Sequence, residues 1–515
     1  MEKLLSDEPE VRLIATSSSD PNVLAVSSAR SCYSSKPVYP EDVVMDERDT
    51  RILQSTGQAG HNTTRQHAYF TFGFNKVSRQ ALWSLFHSHP FYNSEQVSQR
   101  YVKVKMGSGF LIPPLDEKQL KVYLDTVNMQ MQAYSDLINA LNPTAAEAYF
   151  SIFPARKKKE DKYLRDVTKK SQEIARYALP IAVHAHLFHT INFLTLARYW
   201  KMSTHPDFPL EQRIIIDKMV NEMLNVWPSS RIDFEYGLSL ADTDEYSTFF
   251  DKGMSAGFIK EFDNGHEPKK PFSVLTDWKQ NAEKSLADAV RTVYGLASDM
   301  LSDTGAIEKA INPAENRLLS DTLNLTTFSA IARSMYHSHY TFKKKLSHTA
   351  DSQDQRHRMV PASRPILMSH YAGMPDYIVP VLVWKNNQAL ELYEQSMEAV
   401  FNNINQLLEM GVKHEYASYL LPNAFPIRFI ESGDLLNLQH KYKMRLCYNS
   451  QEEIWQLSVQ EVEQIRKVHP EIGKYLLPPC SFSFLAKTRP ICPEREHFCG
   501  VPVWKLDIKD YKRVI

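Results

Sequence analysis

Three groups of side chains in this sequence are of types and spacings that could do chemistry. Ser98-Gln99-Arg100-Tyr101 offers a hydroxyl, an amide, a guanidinium and a phenol within one turn. Arginine is the preferred bidentate partner of a phosphate, and a serine hydroxyl with nearby N–H groups completes an anion site. Taken alone, the same four residues equally describe a polar turn with a surface arginine. His67 and the triplet His87-Ser88-His89 form a second group. They suit stacking on, or hydrogen bonding to, a planar cofactor. H-x-H is also a metal-ligand spacing, and ordinary satisfied histidines are the third reading. A third cluster, His184, His186 and His189, is loosely echoed by His337 and His339. On a helix, 186 and 189 share a face while 184 and 186 do not. With no H-E-x-x-H and no C-x-x-C, no metal is expected. Arg176 before Leu179-Pro180, and Arg445 before Leu446-Cys447, are lone arginines that need context.

The missing motifs narrow the chemistry further. There is no G-x-x-x-x-G-K-[ST], no G-x-G-x-x-G and no G-x-S-x-G, so a P-loop, a dinucleotide fingerprint and a nucleophile elbow are excluded. The chain has 515 residues with 60 Lys+Arg against 60 Asp+Glu. That balance lacks the basic surplus of a nucleic-acid polymer binder. Hydrophobic residues at 43% allow a large core. Five dispersed cysteines fit reduced thiols of a cytoplasmic protein better than a disulfide framework. No run approaches the ~18 apolar residues of a membrane span, and no leader is evident.

The elements that must position these groups follow from periodicity. His67–Phe74 reads as a strand and Val77–Phe86 as a helix. Asp116–Asn142 reads as a long amphipathic helix, and Lys157–Lys170 as a charged surface helix or insertion. Ser171–Trp200 reads as helical with a break at Pro180, and Pro209–Val226 as a further helix. Asp263–Pro271 has the composition of a linker. The second half echoes the first. Thr327-Phe328 matches Thr71-Phe72, and Asp354–His357 matches Ser98–Tyr101, both 256 residues on. Ala417–Pro422 echoes Ala175–Pro180, and Val468–Pro470 echoes Val226–Pro228, both 242 residues on. Ordered matches at two self-consistent offsets predict a tandem duplication, with domains at 1–265 and 266–515.

In order, these pieces resemble the flavin-dependent thymidylate synthases. The family's His-plus-F-T-F strand is matched by His67-Ala-Tyr-Phe70-Thr-Phe72, its V-S-R helix by Val77-Ser-Arg79, and its S-x-R-Y ending by Ser98-Gln-Arg100-Tyr101. A-R-x-x-L-P is matched by Ala175-Arg176-Tyr-Ala-Leu-Pro180, N-F-L-x-L-R by Asn192 to Arg198, and Q-x-E-I by Gln451 to Ile454. The resemblance covers most of the first half and thinner parts of the second. It implies an α+β fold, an antiparallel sheet packed with long helices, here duplicated in tandem. It implies reductive methylation of dUMP to dTMP with FAD, NADPH and methylenetetrahydrofolate. It implies dUMP contacts from Gln96, Ser98, Arg100, Tyr101, Arg176 and Arg445, the last two as the catalytic pair, with FAD or folate contacts from His67, Arg79, His87, Ser88, His89, Asn192 and Arg198. A homodimer mimicking the family's homotetramer is the implied assembly.

Departures are as informative as matches. The family's R-H-R triplet is His87-Ser88-His89, and one residue is inserted before Ser98. The second-half partner of Arg176 is Ser418, while Arg445 sits 23 residues past Pro422, where the first half has Ser203. The losses are complementary, so each site is expected to combine residues from both halves. The alternative is a catalytically altered or inactive protein that still binds nucleotide or flavin.

Overall fold

The aromatic run after His67 forms an extended strand because its side chains alternate between two environments. Phe70, Phe72 and Phe74 are buried while Tyr69 stays exposed. The computed structural model of the chain describes residues 3–86, 89–105, 107–205, 208–234, 256–364, 366–367, 371–513 and 515. Two compact units make up the chain. Unit 1 comprises Met1–Gln130, Leu179–Gly253 and Val400–Leu421, and unit 2 comprises Met131–Ala178, Met254–Ala399 and Pro422–Ile515. Each unit therefore draws on both halves of the sequence.

Unit 1 is built on four antiparallel strands: β1 (Glu10–Thr16), β2 (Tyr69–Ser78), β3 (Asn93–Gln96) and β4 (His184–Asn192), in the order β1-β2-β4-β3. Helix α1 (Arg79–Phe86) follows β2 directly. On the inner face Phe70, Phe72, Phe74, Leu187 and Ile191 pack with Ile215, Ile216, Met219 and Met223. Three threads fix the register. Phe72 lies opposite His189, Thr71 shares a 2.9 Å hydroxyl–hydroxyl bond with Thr190, and Ser94 lies opposite His189 from the other side. At the end of β4, Asn192 accepts from the Thr195 N–H at 2.9 Å and so caps the following helix.

Unit 2 repeats this layout. Its strands are β5 (Phe272–Trp278), β6 (His339–Ser347), β7 (Ala362–Ser363) and β8 (Pro426–Asp434), in the order β5-β6-β8-β7. Phe342 lies opposite Glu431, Thr341 bonds Ser432 at 2.7 Å, and Ala362 lies opposite Glu431. Asp434 caps the next helix by accepting from the Asn437 N–H at 3.0 Å. Tyr340, Phe342, Leu435, Leu438 and Tyr442 form its core with Val462, Ile465 and Leu286.

Four sequence expectations change. Ser171–Trp200 is not helical throughout: helix α3 (Glu160–Ala175), which comes after helix α2 (Glu117–Ile152), is followed by β4 at 184–192 and only then by helix α4 (Phe193–Ser203). His184 to Asn192 alternates between covered and open positions, a period-2 signal that a helical reading overrides. His184 and His186 therefore share one face and His189 the other. Thr327-Phe328 lies in a short 3-10 turn; the strand residues standing where Thr71-Phe72 stand are Thr341-Phe342, 270 residues on. The expected end at Asn142 is passed, since helix Glu117–Ile152 runs through Pro143. Burial of Leu141, Ala145 and Tyr149 offsets a proline cost of about 3 kcal/mol. Finally, the linker-like 263–271 is anchored: Asp263 pairs with Arg428 and Lys345.

Candidate active site

The Ser98–Tyr101 turn leaves the sheet where β3 ends. Val97 still bonds the sheet, its N–H donating to the His186 carbonyl at 3.0 Å. The chain then curls: the Tyr101 and Val102 N–H groups reach the Ser98 carbonyl at 3.2 and 3.0 Å, and the Arg100 N–H reaches the Ser98 hydroxyl at 3.2 Å. This local bond, which serine favours at turns, fixes the direction of the Arg100 backbone. Ser98 and Arg100 are half-buried and Tyr101 is exposed. The Arg100 guanidinium stands 5.5 Å from the Tyr101 ring centre. Arg79, first residue of α1, donates to the Gln96 side-chain oxygen at 3.3 Å and to the Val97 carbonyl at 2.8 Å. Its rigid fork thus clamps the strand end from which the turn springs.

The residues expected at a planar cofactor lie in the same unit. His67 is exposed just ahead of β2, and Asn192, opposite Tyr69, closes β4. Arg198 on α4 is exposed with its guanidinium 5.5 Å from the Phe91 ring, itself 55% exposed. His89 stacks on Phe91 at 5.8 Å. Its Nε2 shares a 2.7 Å bond with the Tyr199 hydroxyl, which lies 3.3 Å from His189 Nε2. Burial drives the Tyr199 phenol well above its ordinary range, so it stays a neutral hydrogen-bonding group. This His89–Tyr199–His189 chain was not foreseen. Its signal was the alternation that puts His189 on the buried face of β4. His87 and Ser88 lie outside the described residues. His184 is packed so close to Gly109 that a Cβ there would sit 2.6 Å from its Nδ1, and burial pulls its imidazole down to about 4.

Arg176 and Arg445 belong to unit 2. Arg176 is buried at the start of a 3-10 turn (Arg176–Ala178), with Nε donating to the Glu173 carbonyl at 3.1 Å. Ser418 opens the corresponding turn in unit 1. Arg445 ends the helix Leu435–Arg445. Its Nε donates to His357 Nε2 at 2.8 Å and its Nη2 to the Gln353 carbonyl at 2.9 Å. Burial, then the charges of Arg445 and Lys441, keep His357 well below its ordinary range. Its Nε2 is therefore a lone-pair acceptor.

Each unit also holds a buried latch that sequence reasoning missed. In unit 1 the Glu211 carboxylate accepts from the Ser78 N–H at 2.7 Å, from the Ser78 hydroxyl at 2.5 Å and from Tyr419 at 2.9 Å. In unit 2 Glu453 accepts from the Ser347 N–H and hydroxyl, both at 2.6 Å, and from Tyr177 at 2.5 Å. In each latch the tyrosine comes from the opposite half of the sequence. Burial pushes Glu211 up to about 7 and raises Glu453. In unit 2 a cavity of about 480 Å³ beside Tyr177, Glu452 and Glu453 is walled by Val381 and Trp384. Among the described residues no helix is long and apolar enough to cross a membrane, and no three His, Cys, Asp or Glu side chains are grouped to hold a metal ion.

The family model described as thymidylate synthase complementing protein matches residues 12–229 and again 274–471. A flavin-dependent thymidylate synthase of Saccharolobus solfataricus is 32% identical over 148 residues, 28% of this chain and 56% of that protein. One of Clostridium tetani is 27% identical over 216 residues, 41% of this chain and 80% of that protein. The chain thus spans little more than half the length of the first curated relatives it matches. The crystal structure of a UMP/dUMP methylase from Streptomyces cacaoi bound with 5-Br dUMP aligns at 19% identity and a TM-score of 0.30, over 44% of this chain and 95% of that chain.

Proposed function

From the premise that the chain belongs to the thymidylate synthase complementing family, we propose that it is a flavin-dependent thymidylate synthase. It would convert dUMP to dTMP, with methylenetetrahydrofolate as carbon donor and NADPH as reductant, in the cytoplasm. The observation that carries this reading is the pair of family matches, 12–229 and 274–471, together with the clamped Ser98–Tyr101 turn. The shared strand order of the two sheets supports two tandem copies, 1–265 and 266–515, that have exchanged segments. Two such chains would assemble as a homodimer in place of the family's four subunits.

The roles follow from chemistry. Ser98 and Arg100, with Gln96 and Tyr101 beside them, suit a dianionic phosphate: one hydroxyl and one guanidinium supply charge-assisted bonds. Arg79 serves this site by holding the strand end. Arg445 and Arg176 suit the uracil. A guanidinium at its O2/N3 edge stabilises the negative charge that makes C5 nucleophilic. The neutral His357 ring and the Gln353 carbonyl hold the Arg445 guanidinium in a fixed orientation, which supports that role.

The residues also fit a flavin in kind. Phe91 is half open to solvent beside the Arg198 guanidinium, an aromatic and cationic surface suited to a planar anionic group. His67, Asn192 and His89 would add hydrogen bonds at its edges, as would His87 and Ser88 in sequence. A bound FAD would supply the hydride chemistry. The protein's part is to hold the rings, exclude water and present dUMP.

Release of tritium from [5-³H]dUMP, in the presence of FAD, methylenetetrahydrofolate and NADPH, tests the proposal. We expect release that Arg100→Ala and Arg445→Ala both suppress. Flavin binding with no release would instead establish a catalytically silent binding protein, the reading favoured by loss of the R-H-R arginines.

A further inference from the structure

The two units carry the same sheet, and the registers of those sheets allow their candidate sites to be compared residue by residue. Ser94 lies opposite His189, and Ala362 lies opposite Glu431; His189 and Glu431 each lie opposite the phenylalanine of a Thr-Phe pair. Counting forward from these anchors, Gln96 corresponds to Arg364, Ser98 to Ile366, Arg100 to Met368 and Tyr101 to Ser369. The hydroxyl, guanidinium and phenol of unit 1 are all replaced.

The clamp has gone as well. Arg79, the residue after Ser78, corresponds to His348, the residue after Ser347, and His348 is buried. Arg364 does not substitute for it. Its Nε and Nη2 engage both oxygens of Asp351 at 3.1 and 2.9 Å, and the guanidinium lies 4.0 Å from the Phe429 ring.

The charge of the surroundings is reversed. In unit 1 the helix after β2, Arg79–Phe86, carries one cation and no acid. Its counterpart His348–Asp354 carries Asp351 and Asp354, both fully buried. Behind them stand Glu431 and Glu461, which share Lys344 with Asp354 at 3.0 Å each. Lys344, Lys441 and Arg364 are each paired with one of these carboxylates, so a phosphate would meet local acids whose cations are already engaged.

We infer that each chain carries one nucleotide-phosphate site, on the turn after β3 of unit 1, and that the equivalent stretch of the unit 2 sequence has lost the groups that would hold a phosphate. This count rests on the dUMP reading above. A chain with two copies of the fold would then bind one nucleotide.

Calorimetric titration of the full-length chain with dUMP decides the matter. The expected result is one dUMP per chain. Arg100→Ala should weaken it by about 10- to 100-fold, the range for losing a charge-assisted hydrogen bond. Ser98→Ala, a smaller change to the same turn, should weaken it in the same direction. Arg356→Ala, which removes an exposed cation of unit 2 ahead of β7, should change neither number nor affinity. Two dUMP per chain would overturn the count while leaving the nucleotide reading intact. A single site lost in Arg356→Ala but kept in Arg100→Ala would overturn its placement. No binding at all would sink the nucleotide reading, and the count with it.

Discussion

Beneath equivalent strands, the two units fill the same positions with opposite chemistry. Under β2 and β4, Phe74, His189 and Tyr199 form a layer of neutral rings, with Phe74 and His189 at 5.7 Å and His189 stacked on Tyr199 at 6.1 Å. At the corresponding positions under β6 and β8 stand Lys344, Glu431 and Lys441. These are joined by Asp354 and Glu461 into a wholly buried ion cluster, in which Lys441 reaches Asp354 at 2.7 Å and Glu431 at 2.5 Å. Burial opposes the Lys344 charge, and the surrounding Asp354, Glu431 and Glu461 outweigh it, so the ammonium is held well above its ordinary range. The sheet order, the helix caps and the latches are common to both units; the layer between sheet and helices is not. What specifies this fold is therefore alternation and hydrogen-bonded ends, while the filling is free to change as long as it is self-satisfied.

The sharpest way to break the comparison is Lys344→Met. It leaves Asp354, Glu431 and Glu461 with Lys441 and the more distant Arg364, 3.9 Å from Asp354. Removing one member of a buried ion set costs about 3–5 kcal/mol. Phe74→Leu in unit 1 removes part of one apolar ring and should cost about 1–2 kcal/mol. Hydrogen exchange read by mass spectrometry, with β2 and β6 peptides followed separately, compares the two. Equal effects would mean that the ion cluster is no more demanding than the aromatic layer.

The next largest effect concerns pH and the unit 1 latch. Burial raises Glu211 to about 7 in the folded protein, against about 4.3 when unfolded. The folded state then binds more protons between those values. Stability is full below the unfolded value and is lost as pH rises through about 7, by an upper limit of roughly 3–4 kcal/mol. Glu211→Gln keeps acceptor and donor groups for Ser78 and Tyr419 without the charge. It should flatten protection of β2 between pH 5 and 8. A β2 protection profile that keeps its slope in the variant would remove Glu211 as its cause.

Much of this was legible in the sequence where one residue carries its own signal. The F-T-F alternation located β2, and the 242-residue echo matched Arg176 with Ser418 and Arg445 with Ser203, each residue at the corresponding turn or helix end of its own unit. The 256-residue echo misled, because a two-residue match carries no register; hydrogen-bonded pairing was needed to match Thr71 with Thr341. His184–Asn192 was hidden by helix-compatible composition on both sides. The latches and the ion cluster were invisible because their members are far apart in sequence, as Ser78, Glu211 and Tyr419 are. A lysine run such as Lys343-Lys344-Lys345 reads as surface until its partners are known: Lys344 and Lys345 are fully buried.

The smallest effect tests what the units share. Thr71 with Thr190, and Thr341 with Ser432, are half-buried cross-strand hydroxyl pairs at 2.9 and 2.7 Å. Such pairs contribute about 0.2–1 kcal/mol. Valine keeps the shape and the strand preference of threonine but leaves one hydroxyl without its partner. Neither pair touches the layer that differs between the units, and solvent can take over part of each lost bond. Thr71→Val and Thr341→Val should therefore lower the protection of their own strands by about the same amount, under 1 kcal/mol. If Thr341→Val costs several times more than Thr71→Val, the ion cluster reaches through the sheet and the two frameworks are not interchangeable. If both are silent, register rests on the caps and latches alone.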